Sequence, residues 1–204
     1  LAIEEHYLPR TAGAALATTV EGALVGVADR LDTLVGILAV GKAPSGSADP
    51  FALRRASISL LRILLARGWA VPLEKLVDAA LDQVGERAKK PRMELRESAL
   101  EFLRTRLRGV LVERAEESGL KGASDIVDAA LAAGANDVKD AEARTLALAR
   151  LRAEDPAEFE RLAATFKRVG NILQKARGEG VSVGSTADDK ALVEGAEKDL
   201  SKEV

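Results

Sequence analysis

The sequence predicts an all-α protein, a multi-helix bundle, and three observations carry that prediction. Most segments place their apolar residues at the 3.6-residue spacing of an α-helix. Two pairs, Asp49-Pro50 and Asp155-Pro156, join a good helix cap to the residue that fits the first helical position. No segment gives a firm indication of a β-strand. The 204 residues are enough for one large helical domain or two small ones.

The first long helix is predicted over residues 20–40, and we expect it to be central and buried. Its opposite face carries Gly22, Gly26 and Gly36. Glycine costs a helix roughly 1 kcal/mol relative to alanine, so we expect these glycines to mark close packing against other helices. The apolar residues at helical spacing are Val20, Leu24, Val27, Leu31, Leu34, Val35 and Leu38.

A loop of small residues from Gly41 to Ala48 is expected to reverse the chain before the second long helix. That helix is predicted over residues 50–67, with Asp49 as its N-cap and Gly68 as its stop. Phe51 begins its apolar stripe. The loop therefore separates two packed helices.

Five further helices follow, and a polar break over residues 85–92 indicates a boundary between the first of them and the rest. The pattern ends at Gly178, and residues 179–204 are predicted to form a flexible acidic tail. The five helices are predicted over 72–84, over 93–119, over 122–134 with Ser124 as the cap, over 137–153 and over 156–178.

Composition excludes several kinds of chemistry. The chain has no cysteine, one histidine (His6) and a formal net charge of −2. A zinc site built from cysteine and histidine and a cysteine nucleophile are therefore excluded. No apolar run reaches the ~18 residues of a membrane span, and the absence of cysteine favours a reducing, cytoplasmic location.

Residues 36–43 nearly spell the phosphate-loop motif G-x-x-x-x-G-K-[ST]. Ala43 replaces the hydroxyl that holds magnesium in such loops, and a helix rather than a strand precedes it. The motif therefore does not predict a nucleotide site.

Asp29 and Asp32 lie three residues apart on the glycine face of the first long helix. One hypothesis is a metal site formed with His6, but mononuclear and dinuclear hydrolase sites need more than one histidine. The favoured hypothesis is a set of structural ion pairs with Arg54 across two helices, with Arg30 and Arg55 as nearby candidates, since buried carboxylates need partners.

Basic residues cluster at helix starts and on helix faces, although the whole chain is slightly negative. Charge runs of this kind usually form solvated faces, and they contact phosphates only where a polyanion binds. The candidates for phosphate contact are Lys42, Arg55, Arg104, Arg108, Lys167 and Arg168.

Five segments together resemble the beta subunit of the bacterial-type glycyl-tRNA synthetase, the alpha/beta heterotetramer. They are EEHYLPR, ADRLDTLVGILAVGKAPSGSADPFALRRAS, FLRTRLR, DIVDAAL and FKRVGNILQKARG. The resemblance covers about residues 3–178 in the family's order and spacing, and it places the chain in the C-terminal half of the much longer family subunit.

The resemblance implies that the alpha subunit holds the glycine, ATP and magnesium site, and that this chain carries no cofactor. It implies a tRNA-binding role for the chain, with the alpha subunit and tRNA(Gly) as partners, no membrane partner and no catalysis by the chain alone. The six basic candidates then become tRNA contacts. Two alternatives stay open, a metal-dependent His-Asp (HD) phosphohydrolase and a purely structural module that bridges subunits.

The resemblance also implies a division into three regions. Residues 1–88 are similar to a degenerate, partial HD-phosphohydrolase-like helical domain without a metal site. Residues 89–139 are expected to be a linking helical region. Residues 140–204 look like the truncated start of an anticodon-binding helical domain.

Overall fold

The computed structural model describes residues 1–11, 13–44, 49–85 and 88–180, and in these ranges the regular structure is helical, without a strand. The all-α fold class is therefore confirmed for the described residues. Their eight helices are α1 (Ala2–Glu5), α2 (Val20–Ala39), α3 (Leu53–Arg67), α4 (Leu73–Val84), α5 (Arg92–Glu117), α6 (Ser124–Ala132), α7 (Val138–Glu154) and α8 (Pro156–Gly178).

The chain divides into two compact units, Leu1–Ala153 and Glu154–Val204. The predicted subdivision of the first unit near residues 88 and 139 stays a prediction. Two predicted features fall at least partly outside the described residues, namely positions 45–48 of the loop and positions 181–204 of the acidic tail. Among the described helices, none combines the length and apolar character needed to cross a membrane.

The core of the first unit lies where α2, α3, α4 and α5 pack against one another. Burial of apolar surface at this junction drives the folding of the unit. Its largest fully buried side chains include Leu34, Leu60, Leu61, Leu64, Leu103 and Leu107.

Helix α2 is central, as predicted, but it is not buried all round. Leu31, Leu34 and Leu38 are at most 5% exposed, whereas Val20 is 50% and Leu24 is 53% exposed. The helix contacts α1, α3, α4 and α5, and these neighbours leave one side of it in solvent. The expectation of a continuous buried stripe is therefore wrong at its N-terminal end.

Two of the three α2 glycines mark close packing, and the partner is the N-terminal segment. A Cβ on Gly22 would lie 2.7 Å from the Glu5 Cβ, and one on Gly26 would lie 3.1 Å from the His6 carbonyl oxygen. A Cβ on Gly36 would meet no atom within 4 Å. The packing explanation is thus confirmed for Gly22 and Gly26 and wrong for Gly36.

Helix α3 begins at Leu53, three residues later than predicted, because the backbone of Ala52 is left-handed, with a φ of 56°. The N-cap residue is Ala52, so the predicted N-cap position of Asp49 is wrong, although the Asp49 carboxylate accepts hydrogen bonds from the backbone N–H groups of Leu53 (2.8 Å) and Arg54 (3.0 Å). Phe51 consequently lies outside the helix and is 38% exposed. The predicted stop at a left-handed Gly68 is confirmed.

Two further helix caps were predicted, Ser124 and Asp155, of which the first is wrong and the second is confirmed. Ser124 is the first residue of α6, which has Ala123 as its N-cap and no side-chain cap bond, so the predicted serine cap is wrong. Asp155 caps α8 by accepting from the Glu158 N–H at 2.9 Å, as predicted. The four-residue helix α1 was not predicted; it is too short to show a periodic pattern.

Candidate nucleic-acid interface

A groove of about 450 Å³ lies between the segment that follows α1, the middle of α2 and the start of α3. We call it the arginine groove, because arginines from all three segments line it. The lining residues used below are Tyr7, Arg10, Asp29, Arg30, Phe51 and Arg55.

The charge of the arginine groove is opposite to that of the chain. Arg10, Arg30 and Arg55 face one carboxylate, Asp29, which leaves the lining with two more positive than negative groups. The whole chain has a net charge of −2. A local basic patch of this kind attracts anions even where the whole-chain charge does not.

Arg30 forms the floor of the groove and is only 8% exposed. Its guanidinium donates to four backbone carbonyl oxygens, those of His6 (2.7 Å), Gly26 (2.9 Å), Leu8 (3.0 Å) and Tyr7 (3.2 Å). Burial lowers the pKa of Arg30 from its ordinary value, and the Asp29 charge opposes that shift. Carbonyl dipoles therefore stabilise this buried charge and fix the course of residues 6–8.

Glu5 fixes the other end of the same segment. Its carboxylate accepts from the backbone N–H groups of Thr18 (3.1 Å) and Thr19 (3.0 Å) and from both threonine hydroxyls. These bonds lower the pKa of Glu5 to about 2, with the hydroxyl of Thr18 as the largest cause. Thr19 in turn caps α2 by accepting from the Gly22 N–H at 3.0 Å. The carboxylate thus joins the N-terminal segment to the start of α2, where a negative charge is favoured.

The aromatic rings of the arginine groove are exposed. Tyr7 is 60% and Phe51 is 38% exposed. The His6 ring lies against Tyr7, with the ring centroids 3.8 Å apart, and the Lys42 Nζ lies 5.6 Å from the Phe51 centroid. Exposed aromatic rings beside positive charges can stack bases while the charges contact phosphates.

Two more arginines, Arg54 and Arg106, interact near the start of α3, and the carboxylates of Asp49 and Glu101 act on Arg106 as well. Burial lowers the pKa of Arg106, and the nearby Arg54 guanidinium lowers it further. The Arg106 guanidinium lies 3.5 Å from the centroid of the Phe102 ring, and its Nη1 donates to the Phe102 carbonyl at 3.0 Å.

Of the four basic candidates in the first unit, Lys42 and Arg55 lie in the region of the arginine groove. Arg104 lies 3.8 Å from Glu74, and Arg108 donates to both carboxylate oxygens of Asp128, at 2.6 and 2.8 Å. The bond to Asp128 raises the pKa of Arg108 and lowers that of Asp128.

Lys167 and Arg168 are exposed on α8, in the second unit. Adjacent positions on one helix point in different directions, so the two side chains do not share one face. Their assignment as phosphate contacts stays a prediction.

The expected burial of Asp29 and Asp32 is wrong, since both side chains are exposed on the solvent side of α2. The ion pairs between described residues include neither of them. The predicted pairing with Arg54 is therefore not formed within the described residues. The arginine that is buried on α2 is Arg30, and carbonyl groups rather than carboxylates surround it.

The metal hypothesis gains no geometric support. His6 Nδ1 lies 2.5 Å from the Ile3 carbonyl oxygen and acts as a donor there, which leaves the lone pair of a neutral ring on Nε2. Within the described ranges, no group of three His, Cys, Asp or Glu side chains could hold a metal ion.

Sequence reasoning gave no groove role to four residues that shape the groove, namely Glu5, Tyr7, Arg10 and Arg30, although Arg30 was a candidate partner for the α2 aspartates. Three of them lie in or beside the segment EEHYLPR, which supported the resemblance but received no structural role. One signal was present, since Thr18-Thr19 before a long apolar helix is typical of an N-cap.

Comparison with known proteins gives one consistent result. The family described as glycyl-tRNA synthetase beta subunit matches residues 1–132. The chain is 45% identical over 200 residues to the glycine–tRNA ligase beta subunit of Anaeromyxobacter sp. (strain K), which covers 98% of the chain and 27% of the relative.

Similar values are found for two other curated relatives with the same description. The protein from Myxococcus xanthus (strain DK1622) is 43% identical over 205 residues, which is 98% of the chain and 28% of the relative. The protein from Geobacter metallireducens is 44% identical over 174 residues, which is 85% of the chain and 24% of the relative. The chain therefore spans about a quarter of the length of the curated relatives it matches.

Proposed function

The chain belongs to the glycyl-tRNA synthetase beta subunit family, and we propose that it is a tRNA-binding, non-catalytic portion of such a subunit. In this proposal it supports the ATP-dependent attachment of glycine to tRNA(Gly), and the alpha subunit supplies the site for glycine, ATP and magnesium. Its partners are the alpha subunit and tRNA(Gly), and its location is the cytoplasm. Its position within the C-terminal half of the longer subunit stays a prediction.

The arginine groove is the observation that supports tRNA binding most strongly. Arg10 and Arg55 are exposed at its edges, Arg30 adds a fixed positive charge at its floor, and the rings of Tyr7 and Phe51 are open to solvent. Phosphate contacts from such residues orient an RNA without reading its sequence. We therefore propose that this groove, with Lys42 beside it, is the main tRNA contact of the first unit.

The other basic candidates take different places in the proposal. Lys167 and Arg168 are proposed as tRNA contacts of the second unit, where both are exposed. Arg104 and Arg108 remain candidates of lower rank, because an approaching phosphate must compete with Glu74 and Asp128.

The likeness of residues 1–88 to HD phosphohydrolases is proposed as one of fold and not of activity. No observation on the described residues favours the phosphohydrolase alternative, since within them no group of three His, Cys, Asp or Glu side chains could hold a metal ion. The structural bridging alternative differs from our proposal in its lack of RNA binding.

A salt titration of tRNA(Gly) binding tests the proposal. One phosphate contact contributes about −0.9 for a duplex, or about −0.7 for a single strand, to the slope of log K against log salt, so it is worth roughly five- to eightfold at 0.1 M relative to 1 M salt. We expect Arg55→Gln to make the slope shallower by about 0.7 to 0.9 and to weaken binding several-fold at 0.1 M salt. The affinities for tRNA(Gly) and for another tRNA should fall in parallel.

The matched control is Lys121→Gln, which removes one exposed positive charge between α5 and α6, away from the arginine groove. Compared with Arg55→Gln, it should have little effect on the salt slope and on the affinity for tRNA(Gly). Binding to the alpha subunit without any measurable binding to tRNA would instead support a structural bridging module.

A further inference from the structure

We infer that the arginine groove receives an unpaired nucleotide of the RNA, with its base on an exposed ring and its phosphates on the groove arginines. The inference rests on the proposed function, because it specifies which part of an RNA the same groove binds. The residues proposed to contact the nucleotide are the rings Tyr7 and Phe51 and the arginines Arg10 and Arg55.

The chemistry of the groove wall favours an unpaired nucleotide over a duplex. A duplex offers its phosphates and the edges of its bases, while the faces of its bases are stacked inside the helix. Arginines alone are sufficient to bind such a backbone. Tyr7 and Phe51, exposed in the same groove as Arg10 and Arg55, gain contact area only from a base whose face is open.

The backbone that carries each ring is held in place. Arg30 donates to the carbonyl groups of Tyr7 and of both residues beside it, which fixes the backbone at this ring. Phe51 lies between Asp49, whose carboxylate bonds to the first N–H groups of α3, and the left-handed Ala52. A ring on a fixed backbone loses less conformational entropy on stacking than a ring on a mobile segment.

The size of the groove also fits a nucleotide. A volume of about 450 Å³ falls within the range of roughly 300–1,000 Å³ that is usual for small-ligand sites. The groove is therefore suited to one or two nucleotides. The Lys42 Nζ, 5.6 Å from the Phe51 centroid, adds a positive charge beside the ring.

Fluorescence anisotropy with three RNA probes tests this inference on the chain. The probes are a short single-stranded RNA, the same RNA annealed to its complement, and the single strand with one central base removed. We expect the intact single strand to bind best, and AMP to compete with it at millimolar concentration. Phe51→Leu should weaken single-strand binding about fivefold or more and leave duplex binding unchanged.

Two variants control for effects other than stacking. Phe51→Tyr keeps a ring at the same place and should retain single-strand affinity. Met93→Ala removes another exposed apolar side chain, 66% exposed on α5, and should leave it unchanged. Melting curves of all three variants should coincide with that of the parent chain, because neither Phe51 nor Met93 is part of the core.

Equal binding of single strand and duplex, with no effect of Phe51→Leu, would overturn the inference. The tRNA contact of Arg55 would then still stand on its salt slope, so the two failures are distinguishable. Binding of AMP without binding of any RNA would also overturn it. If the parent chain bound no RNA at all, the proposed function would be overturned as well.

Discussion

Replacing Arg30 by methionine is expected to lower the free energy of unfolding by about 3 kcal/mol. Methionine is comparable in length but donates no hydrogen bond, so the carbonyl groups of His6, Tyr7 and Leu8 lose their partner. These bonds are partly buried, so water replaces the lost partner only in part, and carbonyl groups left without a partner are costly. Urea unfolding followed by circular dichroism measures the difference.

Two further variants separate the role of Arg30 from general effects of charge. Arg30→Lys keeps the charge but has a single nitrogen, so it should recover only part of the loss. Arg150→Met removes an exposed arginine from α7 and should change stability by less than about 0.5 kcal/mol. A change of that small size for Arg30→Met would show that the carbonyl bonds contribute little.

Glu5→Gln is expected to destabilise the protein at neutral pH, and the loss should shrink as the pH falls. The pKa of Glu5 is about 2 in the folded chain, below the ordinary value of 4.5, because Thr18 and Thr19 bond to the charged carboxylate. A lowered pKa gives stability that is present above pH 4.5 and is lost as the pH falls toward 2. The glutamine variant lacks this carboxylate and should lose less stability over the same window.

Urea unfolding at pH 7, 4.5 and 3 measures this difference. Glu4→Gln, which replaces an exposed neighbour on α1, should follow the parent chain at every pH. A difference between parent and Glu5→Gln that is the same at all three values would contradict the assignment of the four bonds to an ionised carboxylate.

The helices were predictable because their periodic apolar residues are local signals. The spacing of Leu31, Leu34 and Leu38 gives both the helix and its buried side, and a glycine such as Gly68 marks an end by its left-handed backbone. The start of α3 was placed too early because Ala52 adopts a left-handed conformation that its side chain does not favour. Nothing in the residue itself predicts that conformation.

The groove was only partly predictable, because its fixed points join residues that are distant in the sequence. Arg30 binds carbonyl groups more than 20 positions earlier, and carbonyl groups carry no residue-specific signal. The Glu5 carboxylate accepts hydrogen bonds from Thr18 and Thr19, which lie 13 and 14 positions later in the sequence. Arg55 was identified from its place in the sequence, whereas the aromatic role of Phe51 was missed because Phe51 was assigned to the apolar stripe of a helix.

The predicted burial and ion pairing of Asp29 and Asp32 was wrong because a local pattern was given too much weight. Asp29 and Asp32 share a face with small residues, and that face was taken to be buried. Small residues accompany either a close neighbour or an open surface, and the sequence does not distinguish the two. Gly22 has a close neighbour, while Gly36 has none within 4 Å.

Amide hydrogen exchange with and without saturating tRNA(Gly) tests most directly the claim that the arginine groove is the tRNA contact. Binding that fixes a segment slows the exchange of its amides. We predict slower exchange in residues 6–10 and 49–56, which carry Tyr7, Arg10, Phe51 and Arg55, and no change in α4. Protection confined to other parts of the chain, with unchanged exchange in both groove segments, would contradict the account.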